Sequence, residues 1–148
     1  MMQPASICPE RRPTIAVLED DYPTLVLYHE IFDMEGFHAG IFDLNRDCYR
    51  FIRTCRPDLI ILDIASEVDS GGRRLLERLI RDTGGVLPPL ILATAIPPWH
   101  LTDIERTTLK HLRSHHTIKP KPFDVFDLIR TIHQLVRFPT PALAMSRK

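Results

Sequence analysis

The stretch Pro57-Asp58-Leu59-Ile60-Ile61-Leu62-Asp63 decides the fold. Its four consecutive branched apolar residues leave no polar face, so the run reads as a strand covered on both sides, as in a parallel sheet. Asp63 then falls at the C-terminal end of that strand, which in open α/β sheets is the ligand-binding edge. An ionised carboxylate placed there needs a cation or a chemical task to offset its desolvation.

Three other runs repeat the pattern. Ile15-Ala16-Val17-Leu18 ends in Glu19-Asp20-Asp21, another run ends in Thr94, and a short one leads into Lys119-Pro120-Lys121-Pro122. Strands are expected over 14–19, 38–42, 58–63, 89–94 and 116–119. Helical segments alternate with them. Asp21 is the expected cap of the first helix, with Leu25, Ile31, Phe32 and Met34 as its apolar positions and Gly36 as its stop. Asp43 or Asn45 caps the second, which Pro57 closes after Arg56. Leu75, Leu76, Leu79 and Ile80 form one face of the third, ending near Gly84-Gly85. Leu101, Ile104, Thr108 and Leu112 suggest a fourth over 98–113. Asp124 caps the last, with Asp127 at its third position and Val125, Leu128, Ile129, Ile132, Leu135 and Val136 as its buried stripe.

Five strands alternating with five helices predict an α/β, flavodoxin-like doubly wound sheet, five-stranded and parallel, in the order 2-1-3-4-5 with helices on both faces. Strands one and three are then neighbours at the switch point. Asp20 and Asp63 should converge on one crevice, with Thr94 and Lys121 approaching from the side of strands four and five. Crowded carboxylates repel unless a cation lies between them, and hard oxygen ligands favour Mg²⁺. A divalent ion, a carboxylate nucleophile, a hydroxyl and an ammonium together describe a phosphoryl-acceptor site.

Composition narrows the remaining choices. With 148 residues and 44% hydrophobic content, one domain over 14–137 is expected between proline-containing tails at 1–13 and 138–148. Zero formal net charge gives no reason to expect nucleic acid or a membrane as partner, and the absence of a long apolar run suggests a cytoplasmic protein. Cys8, Cys48 and Cys55 lack metal-type spacing and read as free thiols. His111, His115 and His116 read as a solvated patch, and Trp99 as a loop anchor or part of a partner surface.

These residues resemble the receiver domain of two-component response regulators over about Thr14 to Val136. The match runs through Ile15-Ala16-Val17-Leu18-Glu19-Asp20-Asp21, Pro57 to Asp63, Leu92-Ala93-Thr94-Ala95 and Lys121-Pro122-Phe123. The resemblance implies a stand-alone signalling domain rather than an enzyme. In it Asp63 accepts a phosphoryl group from a histidine kinase or histidine phosphotransfer protein, and a downstream protein reads the result by contact. It further implies that Asp20 ligates Mg²⁺ directly, Glu19 mainly through water, and Asp63 and the Ala65 backbone carbonyl as further ligands. Thr94 would move towards the phosphoryl group, Lys121 would pair with it, and the Lys121-Pro122 bond would be cis.

Two positions depart from the family pattern: Ile118 stands where an aromatic switch residue is usual, and Glu67 where a proline is common. Lys119 competes with Lys121 because residues two apart share a strand face. Two other classes stay open. A pseudo-receiver binding partners without phosphorylation is suggested by Ile118 and by Glu67 in place of the loop proline. An aspartyl-nucleophile phosphohydrolase is disfavoured by Ala65, where such chemistry expects a second acid. The cognate kinase, the target and any homodimer formed on phosphorylation are not specified by the chain.

Overall fold

The computed structural model describes residues 12–65 and 71–137. The expected tails outside that range, Cys8, Glu67 and the side chain of Trp99 lie outside the described residues. Strands β1 (Thr14–Leu18), β2 (His38–Phe42), β3 (Leu59–Ile64), β4 (Leu90–Thr94) and β5 (His116–Pro120) alternate with helices α1 (Tyr22–Glu35), α2 (Asn45–Cys55), α3 (Gly71–Thr83), α4 (Pro98–Thr107) and α5 (Val125–Leu135). All four ladders are parallel and the order is β2-β1-β3-β4-β5, the flavodoxin-like arrangement read from the sequence.

Alternation along the strands builds two cores. Ile15, Val17, Leu59, Ile61 and Ile91 point to one face and pack under Tyr28, Ile31 and Phe32 of α1 and Leu128 and Ile132 of α5. Their neighbours Ala16, Leu18, Ile60, Leu62, Leu90 and Leu92 point the other way, under Cys48 and Ile52 of α2, Leu75 and Leu79 of α3, and Ile104 of α4. Ile60, Ile61 and Leu62 are each 0% exposed, which explains why β3 tolerates no polar residue until Asp63. Each fully buried aliphatic side chain of this kind contributes about 1.5–3 kcal/mol relative to its exposed state.

Local chemistry sets most boundaries. The Asp21 carboxylate accepts the Thr24 N–H at 3.2 Å and starts α1. Gly36, at φ 76°, ends it in the left-handed conformation that a glycine adopts without steric penalty. Asp124 caps α5 by accepting the Phe126 N–H.

Four expectations are corrected. The cap of α2 is Leu44, in extended conformation and without a side-chain bond, so neither Asp43 nor Asn45 caps that helix. Met34 is 80% exposed, because Tyr28, Ile31 and Phe32 already fill the buried side of α1. The fourth helix stops at Thr107 and gives way to a 3₁₀ turn, Leu109–His111, instead of running to Arg113. The Arg113 N–H donates to the Gly85 carbonyl at 2.9 Å, which draws the chain back to the sheet and is incompatible with continued helix. Finally, β3 extends one residue past Asp63, while the Asp58 carboxylate accepts the Thr14 N–H at 2.8 Å from just before the strand.

Gly72 lies in the first turn of α3 directly against β3. A Cβ there would stand 1.9 Å from the Asp63 carbonyl oxygen, a backbone atom that cannot swing aside. Gly72→Ala is therefore expected to destabilise the fold by about 3 kcal/mol through forced separation of α3 and β3. A denaturant titration that returned wild-type stability would disprove this close approach.

Candidate functional site

Strand register carries the acidic residues together. Leu18 pairs with Leu62, so the next residues, Glu19 and Asp63, stand level at the C-terminal edge of adjacent strands. Asp20 follows, and one carboxylate oxygen each of Glu19, Asp20 and Asp63 lies within 4.8 Å of the others. Thr94 pairs with Pro120, so Lys121 emerges one step beyond the sheet on the far side of β4. Its N–H donates to the Thr94 carbonyl at 2.7 Å, and the Lys121-Pro122 bond is cis, as the resemblance implied.

The Lys121 ammonium bridges the two acids. Nζ donates to Asp63 Oδ1 at 2.9 Å and to Glu19 Oε1 at 3.0 Å and Oε2 at 3.3 Å. Lys119 lies on the same side of the sheet but bonds Asp127 of α5 at 2.5 Å. The structure thus assigns Lys121 to the acidic crevice and Lys119 to the anchoring of α5. Asp127 also accepts from Arg130, so its oxygens serve side chains.

Burial differs sharply among the acids. The Glu19 side chain is 1% exposed, that of Asp63 24%, and Asp20 faces solvent. Desolvation raises the Glu19 pKa above the ordinary glutamate value, helped by the charge of Asp63 and opposed by the Lys121 bond. For Lys121 burial acts downward, but the bonds to Asp63 and Glu19 more than offset it and the net shift is upward. Asp21, next in sequence, is held low by its bonds from Thr24 and belongs to the α1 cap.

Thr94 is 2% exposed and already fully occupied. Its hydroxyl donates to the Ile64 carbonyl at 2.7 Å and accepts the Ile96 N–H at 3.0 Å, tying β3 to the loop that follows β4. Neither of these bonds involves Asp63. Ile118, at the position usually aromatic in receivers, packs as a partly buried aliphatic against the core under α2, α3 and α4. A cleft of about 80 Å³ opens on the acids, lined also by Ala65, Gly72 and Asp43. Asp43, which the sequence suggests only as a helix cap, joins this cleft because it stands immediately after β2, at the same edge as the other strand ends. His111, His115 and His116 are exposed, and among the described residues the only set of three candidate metal ligands is Glu19, Asp20 and Asp63. Cys48 and Cys55 are free, and burial pushes the Cys48 thiol up to about 12.

Tyr28 was not anticipated. It is 1% exposed, stacks on Phe32 and leans on Phe123, and its hydroxyl has no hydrogen-bond partner among the described residues. Burial, then the charges of Glu19 and Asp63, push its pKa upward, which places the hydroxyl within electrostatic reach of the crevice.

The donor set fits a hard divalent cation: three carboxylates, with Ala65 lining the same cleft. No protein-family model and no curated protein matches the sequence. Solved structures do match in shape. The chemotaxis protein CheY4 of Vibrio cholerae superposes with a TM-score of 0.68 at 14% identity, over 84% of this chain and 99% of that one. A CheY-like response regulator receiver domain from Methanospirillum hungatei gives 0.67 at 20% identity, over 86% and 95%. A Francisella response regulator receiver domain gives 0.66 at 21% identity, over 85% and 98%. At these identities the likeness establishes the fold, which is that of response regulator receiver domains. No helix among the described residues is long and apolar enough to cross a membrane.

Two outcomes follow from the buried groups. The raised Glu19 pKa means that its charged form costs stability at neutral pH, and that this cost fades as pH falls through the folded value. In chelator-treated protein Glu19→Gln should therefore melt higher than wild type at pH 7, with the two curves converging in acid. The raised Lys121 pKa works oppositely, contributing stability that is lost only as pH rises through its folded value. Tyr28→Phe removes an unpaired buried hydroxyl while keeping the ring, and should raise stability by about 1 kcal/mol; a loss of that size would mean the hydroxyl has a partner.

Proposed function

We propose that this chain is a phosphoacceptor signalling domain in which Asp63 takes a phosphoryl group from a histidine kinase or a histidine phosphotransfer protein. The observation that carries this reading is the Lys121 ammonium set between Asp63 and Glu19, with Asp20 completing the acidic group. Lys121 occupies Asp63 Oδ1 and so fixes the orientation of the carboxylate. The other oxygen, Oδ2, faces the donor as nucleophile and attacks phosphorus in line. The phosphorus–nitrogen bond of the donor phosphohistidine breaks and its electron pair returns to the imidazole.

The added group brings nearly two negative charges. Lys121 pairs with one phosphoryl oxygen, and the Thr94 hydroxyl, released from Ile64, donates to another. Glu19, Asp20, Asp63 and the Ala65 carbonyl would hold Mg²⁺, which supplies positive charge against the phosphoryl oxygens. Output proceeds by protein contact, and because Ile118 has no ring to swing, the change travels through the loop after β4 and through α4. Ile118 is also the observation that favours a partner-binding module working without phosphorylation. Phosphorylation chemistry separates the two readings.

Incubation with acetyl phosphate and Mg²⁺ should label wild type on one residue, and Asp63→Asn should cut the label by at least about 100-fold while its circular dichroism shows the fold intact. Asp20→Asn should make labelling strongly metal-demanding. Lys121→Ala should still accept phosphate yet lose the amide shifts that beryllofluoride induces around Thr94, whereas Lys119→Ala should keep them. A wild type that neither labels nor responds to beryllofluoride would leave the phosphorylation-independent module as the correct reading.

A further inference from the structure

Charge in this chain is balanced overall but not in place. Between residues 45 and 56 and between 71 and 83 lie eight arginines and no lysine, against three carboxylates, Asp47, Glu77 and Asp82. These spans are α2, its C-cap and α3, which pack side by side on one face of the sheet. Between the two helices runs a groove of about 370 Å³, whose walls carry Arg46 and Tyr49 from α2 and Arg74, Glu77, Arg78 and Arg81 from α3. That volume falls within the range of small-molecule sites.

The carboxylates present do not neutralise this groove. Asp82 is shared: it accepts the Tyr49 hydroxyl at 2.6 Å and faces Arg78 Nε at 3.6 Å and Arg81 Nε at 3.7 Å. Arg46 has only its chain neighbour Asp47, at 3.9 Å, and Arg74 forms no ion pair with a described residue. Arg78 is held in place, its guanidinium stacked 3.7 Å from the centroid of the Tyr49 ring, while the Tyr49 hydroxyl in turn accepts Arg53 Nη1. A stacked guanidinium keeps its in-plane N–H groups directed outward, the geometry suited to bidentate recognition of phosphate. Choosing arginine at every cationic position of these helices has no advantage for solvation alone, which lysine serves equally well.

We propose that the α2–α3 groove is a binding site for a small phosphate-bearing ligand carrying at least two negative charges. Arg46 and Arg74 are its open cationic contacts, Arg78 is the preorganised one, and Glu77 limits affinity from within. The groove is bounded and concave, which suits a compact ligand better than an extended acidic chain. The groove adjoins the acidic cleft at Asn45, which lines both, but none of its arginines lines that cleft, and the site does not rest on the phosphoacceptor reading.

The test is calorimetric titration of the full chain with inorganic pyrophosphate, in low salt and without divalent cation so that the acidic crevice contributes nothing. Saturable one-to-one binding is expected, with a Kd below about 1 mM. Arg46→Ala and Arg74→Ala, both exposed, should each weaken it at least about threefold, and Glu77→Gln should tighten it by a similar factor. Arg130→Ala on α5 should leave it unchanged. Amide shifts should map to the first half of α2 and to α3. Sedimentation with phosphatidylglycerol vesicles, competed by pyrophosphate, would show the phosphate to be a lipid headgroup, and its absence a free ligand. The proposal fails if pyrophosphate gives no saturable signal up to about 10 mM. It fails equally if the arginine variants bind as wild type, or if a glutamate-rich peptide or duplex DNA binds the groove more tightly than pyrophosphate.

Discussion

The two bonds from the Lys121 ammonium to Glu19 and Asp63 hold the functional edge of this molecule together. Without them, a glutamate almost wholly removed from water would stand level with a second carboxylate, and neither desolvation nor mutual repulsion would be compensated. The bridge reaches from beyond β5 across β4 to β3 and β1, so it depends on the register of three ladders at once. A one-residue slip in any of them would take a carboxylate or the ammonium out of this alignment. Continuous apolar runs make such a slip tolerable for the core itself, since branched residues occupy both faces. Correct register is therefore reinforced at the polar edge, where only one alignment satisfies the charges.

The fold was legible because its signals are local. Four apolar runs, Gly36, and the Asp21 and Asp124 caps mark most of the elements without reference to anything distant. The failures were tertiary. The start of α2 has no capping side chain to read, since Leu44 occupies that position. Met34 fits the helical spacing as well as Ile31 does, and only the position of the sheet exposes it. The end of α4 is set by the bond from Arg113 to Gly85, between residues far apart in sequence.

Legibility of the site divides in the same way. Acids at the ends of strands one and three must converge in a doubly wound sheet, so Glu19, Asp20 and Asp63 could be placed from order alone. Lys119 and Lys121 share strand parity, and what separates them is Asp127, presented by α5 at the right height to take one of them. Tyr28 falls outside the apolar positions that the spacing of α1 suggests; only the structure shows its hydroxyl buried and without a partner among the described residues. The arginines were visible individually, yet a net charge of zero concealed their gathering on two adjacent helices.

The Thr94 hydroxyl gives the crevice a threshold. It is the partner of the Ile64 carbonyl and of the Ile96 N–H, both in buried residues, and any rotation towards Asp63 leaves both unpaired. Each such loss costs about 1–3 kcal/mol in a buried setting. A two-state equilibrium biased by a few kcal/mol holds its minor state at about 0.1–10%. In the proposed phosphoacceptor reading the rotated form is thus rare at rest, and a weak anion that passes through the crevice cannot populate it. Only a group that offers Thr94 a charged acceptor in exchange for two neutral bonds tips the balance. In the proposed phosphoacceptor reading, the clasp between β3 and the loop after β4 is then a noise filter, setting how strong an input must be before the rest of the molecule registers it.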